Sequence, residues 1–195
     1  MPPRPRASEE LILRTTIDLI AEHGVAGVSV DAVASVAGVS KPTLYRRWPS
    51  RARLLQAAFT YGQHEAVAPD TGSLREDLIT LLGELVRYLN RPDFGRAYRS
   101  FIEAASRDPE LAALRGASMR SAFGMFHRAV RRGIERGELP VGTDVRLFID
   151  MVSAPFMAQR LVEDLPVRGA DIEPVVDLLL AAFNRVRTQK VEEFG

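Results

Sequence analysis

The chain contains no cysteine among its 195 residues. This absence excludes disulfides, cysteine-ligated zinc, thiol redox sensing and a cysteine nucleophile. No apolar run approaches the ~20 residues that are needed to span a bilayer. The N-terminal stretch MPPRPRAS has no apolar core and so does not read as a secretory signal. We therefore expect a soluble, cytoplasmic protein.

The chain also has little net charge, with a formal value of only +1. The whole molecule is not a polycation, so any nucleic-acid site must be a local basic patch. Residues 1–60 hold eight basic and five acidic side chains, which gives this end of the chain a net charge of +3. A basic patch is therefore expected in the N-terminal third.

Signatures of catalysis are missing as well. The histidines His23, His64 and His127 lie far apart and share no metal-ligand spacing. The sequence has no HExxH, no glycine-rich phosphate loop and no GxSxG. We predict that the protein is not an enzyme and holds neither a cofactor nor a metal. An enzyme is thus the first alternative to a DNA-binding protein. The second is a helical interaction module that does not bind DNA, and its binding is predicted to be insensitive to salt.

Apolar residues recur at helical spacing along most of the chain, and no segment shows convincing strand alternation. Ser29, Ser40 and Ser50 each stand where a serine can cap a helix. Gly24 and Gly38 stand where helices are expected to end. We predict an all-α fold of about nine helices, which are short up to residue 59 and longer beyond residue 70.

The stretch GVSKPTLYRRWPSR, residues 38–51, raises the question of function. Residues 30–49 read as two short helices joined by a tight turn at Gly38, which is the layout of a helix-turn-helix. On a helical wheel Leu44 and Trp48 point inward, so the opposite side is short, basic and aromatic. The candidate DNA-binding residues are Ser40, Lys41, Pro42, Thr43, Tyr45, Arg46, Arg47 and Arg51.

These side chains suit different contacts with a duplex. Arg46 can donate two hydrogen bonds to one guanine, and the hydroxyls of Thr43 and Tyr45 can bind phosphates. Arg51 stands in the first turn of the next helix, where a cation opposes the helix dipole unless a phosphate docks there. Arg51 is therefore either a phosphate contact or an exposed arginine. If it contacts phosphate, Arg51→Ala weakens binding to all sequences alike, whereas Arg46→Ala relaxes base preference.

This segment resembles the N-terminal domain of TetR-type (tetracycline-repressor-like) transcriptional regulators, from about residue 12 to residue 59. Three features carry the resemblance in order: AEHG, then SVDAVASVAGVS, then KPTLYRRWPSR. The resemblance implies a dimeric, usually ligand-responsive all-α protein, and it places Arg51 where the family usually has a phosphate-contacting lysine. Its motif positions in and around the recognition helix fall on Ser40, Lys41, Pro42, Thr43, Tyr45, Arg46 and Arg47.

The expected organisation has three parts. Residues 1–7 form a disordered Pro/Arg arm, whose Arg4 and Arg6 either enter a minor groove or make no contact. Residues 8–50 form a three-helix DNA-binding domain that contains the helix-turn-helix. Residues 51–195 form a larger helical domain for effector binding and dimerisation.

Two sets of apolar residues are candidates for the tasks of the larger domain. Aromatic and methionine side chains can line an adaptable pocket, although they also form ordinary core. The candidate ligand-binding residues are Phe94, Tyr98, Phe101, Met119, Phe123, Phe126 and Met157. Doubling the last two helices about a twofold axis would build a four-helix bundle, although these residues could also pack internally. The candidate dimer-interface residues are Phe148, Val152, Phe156, Leu179, Phe183 and Val186.

Together these patterns predict a sequence-specific transcriptional regulator that binds double-stranded DNA as a homodimer. We expect a repressor that a small apolar or amphipathic effector releases from a palindromic operator. A helical regulator without a small-molecule ligand and a transcriptional activator are the alternatives.

Overall fold

The computed structural model describes residues 7–61 and 69–192. Over these ranges the chain forms nine α-helices and one 3-10 turn, with no strand, which confirms the predicted all-α class. No helix in the described ranges is both long enough and apolar enough to cross a membrane. The helices are α1 (Ala7–Gly27), α2 (Val30–Val36), α3 (Lys41–Arg47), α4 (Arg51–Thr60), α5 (Leu74–Leu89), α6 (Phe94–Ala105), α7 (Pro109–Glu135), α8 (Val145–Leu161) and α9 (Ile172–Glu192).

Short polar side chains cap the starts of five helices, α2, α3, α4, α5 and α8. Ser29, Ser40 and Ser50 each accept a hydrogen bond from a backbone N–H in the first turn of α2, α3 and α4. These bonds satisfy donors that have no partner inside a helix, which is why serine is favoured at this position. The three predicted caps are therefore confirmed. Ser73 and Asp144 cap α5 and α8 in the same way.

Gly24 interrupts α1, as the sequence predicts. Its φ of 71° and ψ of 165° are not helical, and the chain kinks there before the final residues of α1. A Cβ at this position would lie 3.2 Å from Oγ of Ser100 in α6. The next backbone N–H, of Val25, donates to that Oγ over 2.8 Å. The glycine thus allows both the positive φ and a close approach of α6.

The described residues fall into two compact units. The first unit contains residues 7–61 and 91–120, and the second contains residues 69–90 and 121–192. The first unit therefore adds α4, α6 and the first part of α7 to the three helices predicted to bind DNA. The predicted arm, residues 1–7, lies outside the described residues apart from Ala7, the first residue of α1.

Each unit has its own core. In the first unit α1 packs against α4 and α6, and Ile20, Leu55 and Ala97 are fully buried. In the second unit α5 packs against α8 and α9. A buried carboxylate, that of Asp77, accepts hydrogen bonds from the backbone N–H and the hydroxyl of Thr71 over 2.9 and 2.8 Å. These bonds fix the turn that leads into α5.

Candidate nucleic-acid interface

Backbone geometry fixes the turn between α2 and α3. Gly38 has a φ of 67°, in the left-handed region where a side chain is strained. The N–H of Val39 donates to the carbonyl of Ala34 over 3.0 Å, and the N–H of Gly38 donates to the carbonyl of Ser35 over 3.3 Å. This pair of bonds is a Schellman motif, which ends α2 and turns the chain toward α3.

The inner side of α3 is apolar, as the helical wheel predicts. Leu44 and Trp48 are both buried. Val33 and Ala34 of α2 are buried as well, so α2 also turns an apolar side into the core of the first unit. This packing determines which side of α3 is left to face outward.

The outer side of α3 presents most of the predicted DNA-binding residues to solvent. Tyr45 is 49% exposed, and Arg46 makes no ion pair or hydrogen bond with any described residue. Thr43 is half-buried, and its hydroxyl lies 2.9 Å from the hydroxyl of Ser40. The exposed members of the predicted set are Ser40, Lys41, Pro42, Tyr45, Arg46 and Arg47. Their contact with DNA stays a prediction.

Two of the predicted cations are already paired with carboxylates. Nζ of Lys41 donates to Oδ2 of Asp31 over 2.7 Å, which joins α3 to the start of α2. The guanidinium of Arg47 donates to Oε1 of Glu9 in α1, with nitrogen–oxygen distances of 2.9 and 3.1 Å. The sequence analysis missed both carboxylates, since pairs that are 10 and 38 residues apart leave no local signal.

Arg51 is not the exposed arginine that was one of the two expectations, and its contact with a phosphate stays a prediction. It is half-buried, and its Nε donates to the backbone carbonyl of Val28 over 2.6 Å. Its Nη2 donates to the backbone carbonyl of Val25. The side chain therefore ties the first residue of α4 to the turn that follows Gly24. The same turn receives Ser100 from α6, so three elements of the first unit meet there.

Four of the predicted ligand-binding residues lie together in the first unit. Phe94, Tyr98 and Phe101 are buried on α6, and the rings of Phe94 and Tyr98 stack with centroids 5.3 Å apart. The hydroxyl of Tyr98 donates to Sδ of the half-buried Met119 over 3.4 Å. Phe59 of α4 completes the cluster, with its ring centroid 4.6 Å from that of Phe101.

The other three predicted ligand-binding residues belong to the second unit. Phe123 and Phe126 lie on α7 with ring centroids 5.7 Å apart. Met157 is half-buried on α8. A ligand-binding role for any of the seven residues stays a prediction.

Most residues of the predicted dimer-interface set are buried within the single chain. Phe148, Val152 and Phe156 are completely or almost completely buried within the single chain, so they have no free surface for a partner. Leu179 is buried, and Phe183 is half-buried against Phe148, with centroids 5.0 Å apart. These residues therefore pack internally, which is the alternative that the sequence left open. Val186 lies in α9, but its side chain is outside the described part of the chain.

A different apolar side of α8 and α9 is open to solvent. Leu147 and Met151 are exposed one helical turn apart on α8, and Leu178 of α9 is 70% exposed. Exposed small residues accompany them, namely Ala154, Pro155, Ala158, Ala181 and Ala182. The sequence does contain a signal for this open side of α8, namely a second apolar stripe. Its residues Leu147 and Met151 each stand one position before a residue of the buried stripe.

Models of two protein families match this chain. One is described as bacterial regulatory proteins of the tetR family and matches residues 12–58. The other is described as the C-terminal domain of tetracyclin repressor-like proteins and matches residues 68–179, which is more than half of the chain. The first match spans the helix-turn-helix and most of α4.

Individual proteins agree with the family models. The DNA-binding transcriptional repressor TetR of Mycobacteroides abscessus is 32% identical over 179 residues, covering 89% of this chain and 92% of that protein. The crystal structure of the TetR family transcription regulator SCO0332 superposes with a TM-score of 0.67 at 29% identity, covering 90% of this chain and 98% of the other.

A third neighbour shares the fold alone. It is the transcriptional regulator FadR from Bacillus subtilis, solved in complex with stearoyl-CoA, with a TM-score of 0.70 at 19% identity. The match covers 88% of this chain and 97% of that chain. On the family models and the repressor relative together, the chain belongs to the TetR family of DNA-binding transcriptional regulators, a family of non-enzymes.

Proposed function

We propose that the protein is a homodimeric repressor that a small amphipathic molecule releases from a palindromic operator. The observation that carries this proposal is the outer side of α3, where Tyr45 and Arg46 are exposed opposite the buried Leu44 and Trp48. An exposed arginine on a recognition helix can donate to guanine O6 and N7 in the major groove. The repressor name of the Mycobacteroides abscessus relative supports repression as the mode of action.

Dimerisation follows from the geometry of a palindromic operator. One short recognition helix offers few contacts, whereas two helices about 34–36 Å apart reach successive major grooves. The exposed side of α8 and α9 around Leu147, Met151 and Leu178 supplies an apolar surface that a second copy can cover. A twofold axis through this surface would bring four helices together in an isologous interface.

The route of release runs through the turn after Gly24. Tyr98 and Phe101, two of the clustered aromatic rings of the first unit, lie close to Ser100 in the sequence of α6. The hydroxyl of Ser100 accepts from the N–H of Val25. Arg51 of α4 donates to the carbonyl of Val25 in the same turn. A ligand that changes the position of α6 therefore acts on α1 and α4 through this turn. Release occurs only as far as the ligand prefers one arrangement over the other.

The test begins with the operator, which selection of bound duplexes from a random pool would supply. Binding is then measured by fluorescence anisotropy against the selected duplex and a scrambled one, over a series of salt concentrations. We expect a palindromic site, a stoichiometry of two chains per site, and an affinity that falls linearly with log salt. A chain that binds the scrambled duplex equally well would contradict a sequence-specific repressor.

A further inference from the structure

We propose that the ring cluster of the first unit binds a carboxylate with an apolar body, whose carboxylate group pairs with Arg115. The ring cluster is the set Phe59, Phe94, Tyr98 and Phe101. This inference rests on the proposed function, because it names the chemical class of the molecule that releases the operator. It adds a residue, Arg115, that neither the sequence pattern nor the family models assign to ligand binding.

Arg115 carries a buried donor that no described residue satisfies. Its Nε is buried and has no hydrogen-bond partner among residues 7–61 and 69–192. No carboxylate among the described residues forms an ion pair with Arg115. A buried guanidinium nitrogen without an acceptor is costly, because it has lost water and gained nothing in return. An acceptor that a ligand supplies would therefore gain the most binding free energy at such an atom.

The helical spacing of α7 places Arg115 beside the ring cluster. Residues four apart on a helix are neighbours on one face, so Arg115 lies between the buried Leu111 and the half-buried Met119. Sδ of Met119 in turn lies 3.4 Å from the hydroxyl of Tyr98. Burial raises the pKa of Tyr98 above its ordinary value, and the positive charge of Arg115 opposes that rise. The helical spacing and the Met119–Tyr98 contact place Arg115 on the side of α7 that meets Tyr98.

Tyr98 offers a second donor that is poorly used. Its hydroxyl is bonded to a thioether sulfur, which is a weak acceptor. The Tyr98 hydroxyl and Arg115 Nε are therefore two donors that approach the same region and have no strong acceptor among the described residues. A carboxylate has two acceptor oxygens and one negative charge, which matches a guanidinium and a phenol together.

The remainder of the ligand would meet rings. The centroid of Phe59 lies 4.6 Å from that of Phe101 and 5.9 Å from that of Tyr98, so α4 and α6 contribute to one buried apolar cluster. An aliphatic or aromatic body that entered this cluster would touch α4 directly through Phe59. Since α4 begins at Arg51 and its capped first turn, the ligand would act on the helix that follows the helix-turn-helix.

The test is isothermal titration of the full chain with two carboxylates and their matched alcohols. The probes are octanoate beside 1-octanol, and 4-phenylbutanoate beside 4-phenyl-1-butanol, all at pH 7.5. A hydrogen-bonded ion pair is worth enough that each carboxylate should bind about tenfold or more tightly than its alcohol. The variant Arg115→Gln should bring each carboxylate to the affinity of its alcohol. Arg115→Lys should retain part of the preference, because it keeps the charge.

Arg107→Gln is the matched control, because Arg107 is an exposed arginine on the first unit that pairs with Glu103 over 3.3 Å. It should leave the preference for carboxylates unchanged, and thermal unfolding would establish that each variant is folded. The inference is overturned if neither carboxylate binds the wild-type chain, if the alcohols bind equally well, or if Arg115→Gln keeps the full preference.

A parallel titration of the protein–operator complex separates this inference from the proposed function. If the carboxylates bind through Arg115 but the operator stays bound, the site stands and ligand-induced release fails. If the alcohols bind and release the operator as well as the acids do, release stands and the carboxylate class is wrong.

Discussion

Lys41 on the outer side of α3 holds Asp31 of α2 at 2.7 Å, although both side chains are more than half exposed. Arg47 is held by Glu9 of α1 in the same manner. Two of the cations expected to approach DNA phosphates therefore face carboxylates of their own chain. A phosphate that approached either cation would have to compete with its carboxylate, so we expect these pairs to weaken binding to DNA in general.

Removing this competition should tighten non-specific binding. Exposed ion pairs are worth about 0.2–1 kcal/mol, so Asp31→Asn should increase affinity for a scrambled duplex by up to about fivefold. The gain should shrink at high salt, because the pair and the phosphate contact are both screened. Fluorescence anisotropy with a labelled scrambled duplex measures it. Asp150→Asn is the control, since Asp150 forms an exposed pair with Arg146 on α8. An unchanged affinity in Asp31→Asn would contradict the competition.

Arg46→Ala should relax base preference. A bidentate arginine contact discriminates against the wrong base pair by about 1–3 kcal/mol, and Arg46 is the cation of α3 that no described residue engages. The measurement compares affinities for operators that each differ at one base pair. At one position in each half-site, Arg46→Ala should bind operators with any of the four bases with similar affinity. Arg47→Ala is the comparison, and it should change all members of the panel alike. A base preference that survives Arg46→Ala would assign sequence reading to other residues.

Arg51→Ala should destabilise the protein. Its guanidinium donates to the carbonyls of Val25 and Val28, and losing such charge-assisted bonds costs about 1–3 kcal/mol in the free energy of unfolding. Urea denaturation measures the change. Arg53→Ala on the same helix is the matched control, because Arg53 is exposed and its side chain bonds, among the described residues, Gln56 alone, over 3.4 Å. Equal stability of the two variants would show that Arg51 is free to contact a phosphate instead.

Ser100→Ala should loosen the turn after Gly24. The N–H of Val25 would lose the acceptor that now lies 2.8 Å away, which costs about 1 kcal/mol for a part-buried bond. Hydrogen exchange at the amide of Val25 should accelerate, and operator affinity should change although α6 is outside the helix-turn-helix. Ser106→Ala at the end of α6 is the control, since the hydroxyl of Ser106 bonds the local carbonyl of Glu103 and no other group in the described part of the chain. Unchanged exchange at Val25 would remove this turn from the route of release.

Leu178→Asp should produce a monomer. Leu178 is 70% exposed on α9, and a carboxylate there would be buried without a partner if the exposed apolar side forms the dimer. Sedimentation equilibrium measures the association state. Val141→Asp is the control, because Val141 is 93% exposed in the loop before α8. A Leu178→Asp dimer as stable as the wild type would place the interface elsewhere.

Local rules explain why the helix-turn-helix could be predicted closely. Caps, glycine turns and the inward direction of Leu44 and Trp48 depend on residues within one or two helical turns of each other. The partners of Arg51 and Lys41 could not be read in this way. Their bonds connect residues 23 and 10 positions apart, and an arginine in a first turn has the same pattern whether it binds a carbonyl or a phosphate.

Helix α8 shows a second limit of sequence reasoning. It carries two apolar stripes, one with Phe148 and Val152 and the other with Leu147 and Met151. Periodicity identifies both stripes, but only packing determines which one enters the core of its own chain. The larger side chain of phenylalanine fills that core, and the stripe with leucine, methionine and alanine is left outside.

The Schellman turn and the capped helix starts have a consequence for how such regulators diversify. The atoms that build the angle between α2 and α3 belong to the backbone, to Gly38 and to Ser40. Tyr45 and Arg46, by contrast, contribute nothing to that angle. If Tyr45 and Arg46 read the operator, exchanging these two side chains would change the recognised site and leave the scaffold that presents them intact.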